Sequence, residues 1–434
     1  MRRIKTFITI MIGVSGLLLM LWFIMPSVNV ALTYVPVAIA SAIFTFLTCV
    51  TDRKHILNYI LIFLPCLFIA LLYFIVPYSF SLKPAVNIFQ QMVIFTAPVM
   101  LATLYLNLNK DRKIYRWFYG LSIVFLIGCI VFVYIRTMRE LSVYPTVCRL
   151  LAIGKYNNYM AEEIQSLRMK NIGGFGFSYA MGIIEIASFY SAVRYKGKKR
   201  IIYAIVALAL LVFVIRAQFM TLLILCVTIN FLTSLRFAKS YATKAFIVFA
   251  IVLLLVFSGP ITGALAGLIT GERLSERMYA LSGFLEGDGY NSWRLEFIKD
   301  CLESISKHLF FGQPDMLNNY EARSISANSH STQFKLLVDI GLAGSVIYNY
   351  YLFYLRKYMV KLICRNGGNP EPFIICFWFL WILSWLNPVF QNYELPFALF
   401  LVIPLFICLN GRGKGAEKGR NGERKNIKSS TVEL

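Results

Sequence analysis

Long apolar runs recur from one end of this chain to the other, separated by short patches of lysine and arginine. Runs of about 18 or more apolar residues are the signature of helices that cross a membrane. Of the 434 residues, 58% are hydrophobic and 15% are charged, whereas a soluble chain carries roughly a quarter charged residues. A single soluble core could not bury this much apolar surface. The sequence therefore predicts an all-α, polytopic membrane protein.

The basic patches set the predicted topology, because they recur after every second apolar run. Lysine and arginine are retained on the cytoplasmic side by anionic lipids and by the insertion machinery. Both termini are then cytoplasmic, a membrane domain covers residues 1–410, and residues 411–434 form a basic cytoplasmic tail. The runs next to Arg216 are predicted to be short, about 15 residues each. The twelve predicted spans are 6–25, 29–50, 56–76, 88–107, 117–135, 174–193, 201–215, 218–234, 245–268, 332–355, 373–386 and 396–410.

The net charge of +22 suggests nucleic acid at first, but its distribution as cytoplasmic patches argues against that partner. Most of the nine cysteines lie within apolar runs, where they act as small hydrophobes. No Cys/His spacing is typical of a metal site, so neither a metal nor a cofactor is predicted. Cys148 and Cys301 fall in predicted external loops, which leaves a disulfide between them open.

Two external loops are long, at 136–171 and, between the ninth and tenth spans, at 270–331; loops of this length are usually functional. The second loop contains a predicted amphipathic helix that would lie along the outer membrane interface. Whether that helix takes part in chemistry or only packs stays open. Its predicted apolar face comprises Trp293, Phe297, Cys301, Leu302, Ile305 and Leu309.

Arginines in the external loops are the first functional signal, since the positive-inside bias should deplete them there. Arginine grips phosphate through paired hydrogen bonds. Arg216 lies between two apolar runs at the outer side, where an ionisable group is costly; a snorkelling helix-end arginine is the alternative. The loop arginines are Arg136, Arg139, Arg149, Arg168, Arg273, Arg277, Arg294 and Arg323.

His330 is the second signal, because it immediately precedes the tenth span on the predicted outer side. A neutral imidazole there can act as a general base, although a polar interface residue is the simpler interpretation of the position alone. Glu185 and Asp339 lie within apolar spans and could offset an arginine, bind a hydroxyl or relay a proton. We favour a structural partnership for both. The glycines of NIGGFGF (residues 171–177) allow a ligand or another helix to approach the backbone closely.

The stretch from Arg294 to Gly344 resembles the O-antigen ligase and O-antigen polymerase superfamily of bacterial envelope glycosyltransferases. HLFFG at 308–312 is similar to the family's "hPlfG" turn, with Leu309 in place of the proline. NSHSTQF at 328–334 and VDIGLAG at 338–344 resemble its "HNxyL…xxxGllG" signature, with Ser331 in place of the asparagine. IRAQ at 215–218 looks like its "SRxxxl" turn, with Ile215 in place of the serine.

The resemblance implies a GT-C-like fold and metal-independent, inverting transfer of a glycan from undecaprenyl diphosphate at the outer face of the bacterial cytoplasmic membrane. Arg216 and Arg294 would offset the charge of the leaving diphosphate, and His330 would take the proton of the acceptor hydroxyl. Implied partners are the lipid-linked oligosaccharide, membrane lipids, a chain-length regulator and a flippase. Candidate substrate contacts are Arg136, Arg139, Arg168, Arg273, Arg277, Asn328 and Asp339.

Several functions remain open at this stage. A polymerase joins lipid-linked repeats to one another, and a ligase moves the chain to a different acceptor; the two arginine-bearing loops favour the polymerase. A lipid-linked oligosaccharide flippase would also have about twelve spans, but it should show related halves and charges deep in several spans. A sensor or scaffold without chemistry would more often carry a soluble signalling domain.

Overall fold

The computed structural model describes a chain built from helices, with no strand among the described residues. The described residues are 13–14, 16–32, 46, 56–75, 86, 96–106, 113–145, 147–153, 161–238, 240–242, 244–245, 293–312, 331–387, 389 and 392–409. The all-α prediction is confirmed for this part of the chain. The predicted spans at 29–50 and 245–268 lie almost entirely outside it, and the tail at 411–434 lies wholly outside it.

The helices follow the apolar runs of the sequence closely. The last of them contains a π-helical stretch at Ala398–Val402. In chain order they are α1 (16–24), α2 (Pro26–Ala31), α3 (Ile56–Ile75), α4 (Thr96–Leu106), α5 (Lys113–Val143), α6 (Val147–Ile153), α7 (Ala161–Met169), α8 (Phe175–Arg194), α9 (Lys198–Arg216), α10 (Met220–Phe237), α11 (Trp293–Lys307), α12 (Thr332–Arg365), α13 (Glu371–Leu386) and α14 (Glu394–Leu409).

α5 continues through Arg136, the predicted start of the first external loop, as far as Val143. The apolar run ends near residue 135, but arginine, methionine, glutamate and leucine are good helix formers. No glycine or proline interrupts the sequence between Gly128 and Pro145. The end of the apolar run therefore marks the point where the side chains become polar, and the helix continues beyond it. The rest of this loop contains the short helices α6 and α7.

The two helices that flank Arg216 are longer than predicted. α9 has 19 residues and α10 has 18, because each includes the basic residues at its end. At 1.5 Å rise per residue, α9 is about 28 Å long, close to the thickness of a hydrocarbon core. These helices are therefore not unusually short.

α12 consists of two arms that meet at Gly341, so the segment of the predicted tenth span, 332–355, is not one continuous helix. Gly341 has φ 63° and ψ −165°, a conformation open essentially to glycine alone. The first arm, α12a, covers residues 332–340, and the second, α12b, covers residues 342–365. The side-chain amides of Gln333 and Asn349 bond to each other, with Asn349 Nδ2 2.9 Å from Gln333 Oε1. Each residue lies about 12 Å from the joint along its arm, so the arms must fold back on each other.

Contacts between helix termini show which helix ends lie together. Gly173 donates its backbone N–H to Thr137 Oγ1 at 2.8 Å, which joins the start of α8 to α5 near its end. The ring of Phe219, just before α10, lies 5.7 Å from that of Tyr179. Asn387, just after α13, donates Nδ2 to the Tyr179 hydroxyl at 3.3 Å. We call this end of the bundle the Tyr179 end.

An ion cluster marks the opposite end of the same helices, which we call the Glu371 end. Glu371, at the start of α13, pairs with Arg194 at 2.8 Å and with Arg236 at 2.5 Å. Tyr190 also donates its hydroxyl to this carboxylate. Helices α8, α9 and α10 therefore alternate in direction, in the order that the basic patches predict for them.

Among the described residues, three segments could cross a membrane by length and composition: Gly120–Val143, Met220–Phe237 and Thr332–Arg365, the last of which includes both arms of α12. The outward faces of the helices are apolar, as for Leu121 and Val124 on α5, which are 56% and 68% exposed. Extended apolar surface of this kind is compatible with a lipid environment. The total of twelve spans and the GT-C-like arrangement stay predictions.

Candidate functional site

Thr332 joins the start of α12a to the residues that follow α13. Thr332 Oγ1 donates to the carbonyl oxygen of Asn387 at 3.2 Å and accepts the backbone N–H of Val389 at 2.6 Å. Ser331 caps the helix, because its Oγ accepts the N–H of Phe334 at 3.2 Å. The position that carries His330 in the sequence therefore comes directly before a fixed helix start at the Tyr179 end. His330 itself lies outside the described residues.

A network of amides and hydroxyls continues from this helix start. Gln333 Nε2 donates to Ser384 Oγ at 2.9 Å, and Trp381 Nε1 donates to Asn349 Oδ1 at 3.0 Å. Gln333 is 1% exposed and Ser384 is 3% exposed. Buried polar groups that are paired in this way specify one arrangement of the helices, since each unpaired group would cost free energy. The network fixes α12a against both α12b and α13.

The two motifs of the family resemblance, HLFFG at 308–312 and the glycine-bearing segment at 341–344, are bonded to each other. Leu342 donates its backbone N–H to the carbonyl oxygen of Leu309 at 2.8 Å, and Ala343 donates to that of Phe310 at 3.1 Å. The first N–H groups of a helix have no partner inside that helix. The turn after α11 supplies carbonyl partners for the start of α12b and thereby closes the joint at Gly341.

α11 lies beside α12a and runs in the same direction. Cys301 and Ile305 of α11 are buried against Val338 of α12a, and the C-terminal ends of both helices meet at the joint. The predicted amphipathic helix is thus confirmed, and Cys301 and Ile305 belong to its buried face. Leu302 and Leu309 do not, since they are 53% and 44% exposed.

This parallel packing relates Arg294 to the start of α12a. Arg294 lies in the first turn of α11, about 21 Å along the helix from His308 at its end. Ser331 lies about 15 Å from the joint along α12a. The first turn of α11 therefore lies towards the same end of the two helices as the α12a cap. The side chain of Arg294 lies outside the described residues.

Arg216 is the last residue of α9 and is exposed in a tight turn at the Tyr179 end. The predicted turn between two helices is confirmed. Gln218, two residues later, has φ 54°, which is uncommon for a residue with a side chain. Its Oε1 is buried, and none of the described residues bonds to it. Phe219 then packs on Phe175 and Tyr179 and fixes the turn against α8.

The remaining arginine candidates are spread over α5 and α7. Arg136 and Arg139 are exposed on α5, and the guanidinium carbon of Arg136 lies 5.5 Å from the centre of the Phe132 ring. Arg168 is half-buried in the last turn of α7. Three other candidates, Arg273, Arg277 and Asn328, lie outside the described residues, as do Arg323 and the side chain of Arg149.

Asp339, the acidic candidate, is 4% exposed and lies in α12a two residues before Gly341. A Cβ added to Gly312 would stand 2.6 Å from the Asp339 carbonyl carbon, so the turn after α11 packs tightly against it. This position inside the joint favours the structural role over contact with a substrate.

Cys148 and Cys301 are both free, so the disulfide left open by the sequence does not form in this structure. Cys148 is buried and donates its thiol to the Gly173 carbonyl oxygen at 3.1 Å. Burial, followed by the nearby Asp300 and Asp339 carboxylates, raises the pKa of Cys301 to about 12. A thiol that does not ionise near neutral pH is a poor nucleophile for disulfide exchange.

The polar residues that hold the site together are not among those predicted from the sequence. Tyr179 and Asn387 bond across it, and Glu394 lies so close to the start of α8 that a Cβ on Gly176 would stand 2.2 Å from its Oε2. The Asn387–Pro388 dipeptide marks a turn and could have signalled the end of α13. The glycines of NIGGFGF indicated the close approach, which occurs at Gly176. Nothing in the sequence indicated that Glu394 would be the residue that approaches Gly176.

The described residues define an all-helical protein with segments long enough to cross a membrane, and with a polar site where several helix termini meet. Among these residues, no group of three or more histidine, cysteine, aspartate or glutamate side chains could hold a metal ion. The chain matches no protein-family model and no curated protein sequence.

Proposed function

We propose that this protein is a bacterial cell-surface polysaccharide polymerase that joins undecaprenyl-diphosphate-linked repeat units at the outer face of the cytoplasmic membrane. One observation carries the proposal: the turn at 308–312 and the segment at 341–344 form a single bonded unit through Leu342 and Ala343. These are two of the segments on which the family resemblance rests. Segments that act together in one site are expected to be joined in this way.

The helix termini that carry or adjoin the three candidate catalytic residues in the sequence also support the proposal. Arg216 ends α9 at the Tyr179 end, His330 precedes the capped start of α12a at that end, and Arg294 begins the helix that runs beside α12a. Phe219, Tyr179, Asn387 and Thr332 connect the Arg216 turn to this helix start through successive contacts. Three elements that are distant in sequence are thus held in one region.

The proposed chemistry is a single displacement at the anomeric carbon of the donor sugar. His330 takes the proton of the acceptor hydroxyl while that oxygen attacks, and the bond from the anomeric carbon to the diphosphate oxygen breaks. Arg216 and Arg294 offset the charge that develops on the leaving diphosphate, which stays attached to its lipid. One displacement inverts the configuration at the anomeric carbon, and no step requires a metal ion.

The test replaces His330, Arg294 and Arg216 singly with alanine and measures surface polysaccharide length together with membrane abundance of the protein. Matched controls remove an exposed group elsewhere: His308→Ala for the imidazole, Lys299→Ala for the cation on α11, and Arg200→Ala for an arginine at the Glu371 end. We expect the three site variants to lose long-chain product by a factor of about 100 or more at normal abundance, and the controls to keep it.

The intermediates that accumulate distinguish the related functions. Single lipid-linked repeats would support the polymerase, and full-length lipid-linked chains would indicate a ligase. Normal polymer from all three site variants would overturn the transferase site and favour a flippase. Purified wild-type protein should also extend lipid-linked repeats in the presence of a metal chelator.

A further inference from the structure

A buried carboxyl group lies in the middle of α8, about 9 Å along the helix from Tyr179. Glu185 is 1% exposed, and its Oε1 accepts a hydrogen bond from Asn230 Nδ2 of α10 at 2.8 Å. Two oxygens of this pair, Glu185 Oε2 and Asn230 Oδ1, are also buried and accept no N–H or O–H of the described residues; the weakly donating thiol of Cys226 lies beside the carboxyl. Both are acceptors when the carboxyl is ionised. One more hydrogen is therefore needed before Glu185 Oε2 and Asn230 Oδ1 can form a hydrogen bond with each other.

No described cation offsets a charge on Glu185, since the ion pairs of the described helices involve Glu371 and Glu303. The titratable groups that face it are two thiols, Cys226 on α10 and Cys376 on α13. An isolated carboxylate in an apolar interior is so costly that such groups take up a proton or a counter-ion.

We infer that Glu185 carries a resident proton on Oε2 and forms with Asn230 a closed acid–amide pair of two hydrogen bonds. The Asn230 amide donates to Oε1, and the Glu185 hydroxyl donates to Asn230 Oδ1. A single proton satisfies both oxygens that otherwise have no partner, and it leaves the pair without charge. The carboxyl of one helix and the amide of the next thus act as a proton-binding site within the bundle.

The closed pair joins two helices where they pack closely. One turn before Glu185, a Cβ added to Gly182 would stand 2.4 Å from Leu222 Cδ1 of α10. α10 begins immediately after the Arg216 turn. The Glu185–Asn230 pair therefore holds α10, and with it the turn, against α8. The inference does not depend on the proposed glycan transfer.

Infrared absorption of the full-length protein in detergent tests the proton directly. Wild-type protein at pH 7 should show the C=O band of a protonated carboxyl group, and this band should be missing from Glu185→Gln. Carboxylate bands at pH 7 that disappear in Glu185→Gln, with no C=O band lost, would show that Glu185 is ionised and would overturn the inference.

Asn230→Leu provides a second measurement that keeps Glu185 in place. Without the amide, the hydroxyl and the carbonyl oxygen both lose a partner, so the C=O band should shift to higher frequency. An unshifted band in the folded variant would show that Asn230 does not close the pair.

Thermal unfolding adds an independent check. Glutamine at position 185 preserves two hydrogen bonds to Asn230 without a titrating proton, so the unfolding temperature of Glu185→Gln should lie within a few degrees of wild type. The unfolding temperature of Glu185→Ala should be clearly lower.

Discussion

Gly312 and Gly341 approach so closely that a Cβ added to Gly341 would stand 2.4 Å from the backbone nitrogen of Gly312. This contact lets the carbonyl oxygens of the turn after α11 accept the backbone N–H groups at the start of α12b. It also places the reversal of α12 and the end of α11 in one joint. The joint fixes the relative placement of α11 and α12a. α11 carries Arg294, and in the sequence His330 comes one residue before Ser331, the cap of α12a.

Gly341→Ala should destabilise the protein by about 3 kcal/mol or more, because the new Cβ meets backbone atoms and φ 63° disfavours a side chain. Thermal unfolding in detergent measures the loss, and long-chain polysaccharide should disappear with it. Gly120→Ala is the matched control, since a Cβ there meets nothing within 4 Å and alanine favours a helix by up to about 1 kcal/mol. Equal stability of the two variants would contradict the structure of the joint.

Thr332→Val should lower stability by about 1–3 kcal/mol, because it keeps the shape of the side chain but leaves the Val389 N–H without its partner and removes one of the two hydrogen bonds to the Asn387 carbonyl oxygen. The start of α12a would then be held to α13 by fewer hydrogen bonds, those from Ser331, Gln333 and the Thr332 backbone. Thermal unfolding and polymer length should both show a loss. Thr228→Val, at an exposed position on α10, should change neither, and a similar loss there would mean that the Thr332 bonds are not the cause.

Gln218→Gly should stabilise the protein by about 1 kcal/mol, since glycine adopts φ 54° without strain. The Gln218 side chain forms no hydrogen bond to the described residues through Oε1, so little is lost from that atom. Asn171→Gly provides the contrast. Asn171 has φ 60°, but its Oδ1 accepts the Ser27 hydroxyl at 2.7 Å, so glycine should bring no gain there. A lower unfolding temperature for Gln218→Gly would disprove the strain.

Acid should weaken the Glu371 end. The hydrogen bond from Tyr190, followed by Arg236 and Arg194, holds the pKa of the Glu371 carboxyl below its usual range, although burial opposes this. A carboxyl with a depressed folded-state pKa stabilises the protein above its unfolded pKa, and this stabilisation is lost as the pH falls through the folded pKa. We expect the loss below about pH 4.5, with a size of about 1 kcal/mol or less because both arginines are well exposed.

The measurement is the unfolding temperature of wild type and Glu371→Gln between neutral and acid pH. The variant should be less stable at pH 7, and the difference from wild type should shrink towards pH 3. Glu303→Gln, which removes only the exposed pair with Lys307, should match wild type throughout. A difference between wild type and Glu371→Gln that does not change with pH would exclude an ionised Glu371 as the source.

The sequence by itself determined the all-helical class, the approximate positions of the long apolar helices in the described chain, and the amphipathic helix α11. These follow from the composition and period of apolar residues, which are local properties. The sequence did not locate the end of α5, because Arg136 and Arg139 mark a polar environment while still favouring a helix. For the same reason the predicted spans left out the basic residues at the ends of α9 and α10, although the helices themselves include those residues.

Only the tertiary structure decided that α12 folds back at Gly341, since a glycine in an apolar run signals no reversal without the turn that packs on it. The partners of Thr332, Gln333 and Asn230 were equally invisible, because a polar residue does not reveal which distant residue satisfies it. Hydrogen bonds between separate helices depend on how those helices pack. Local sequence therefore set the helices of this protein, and long-range packing set its site.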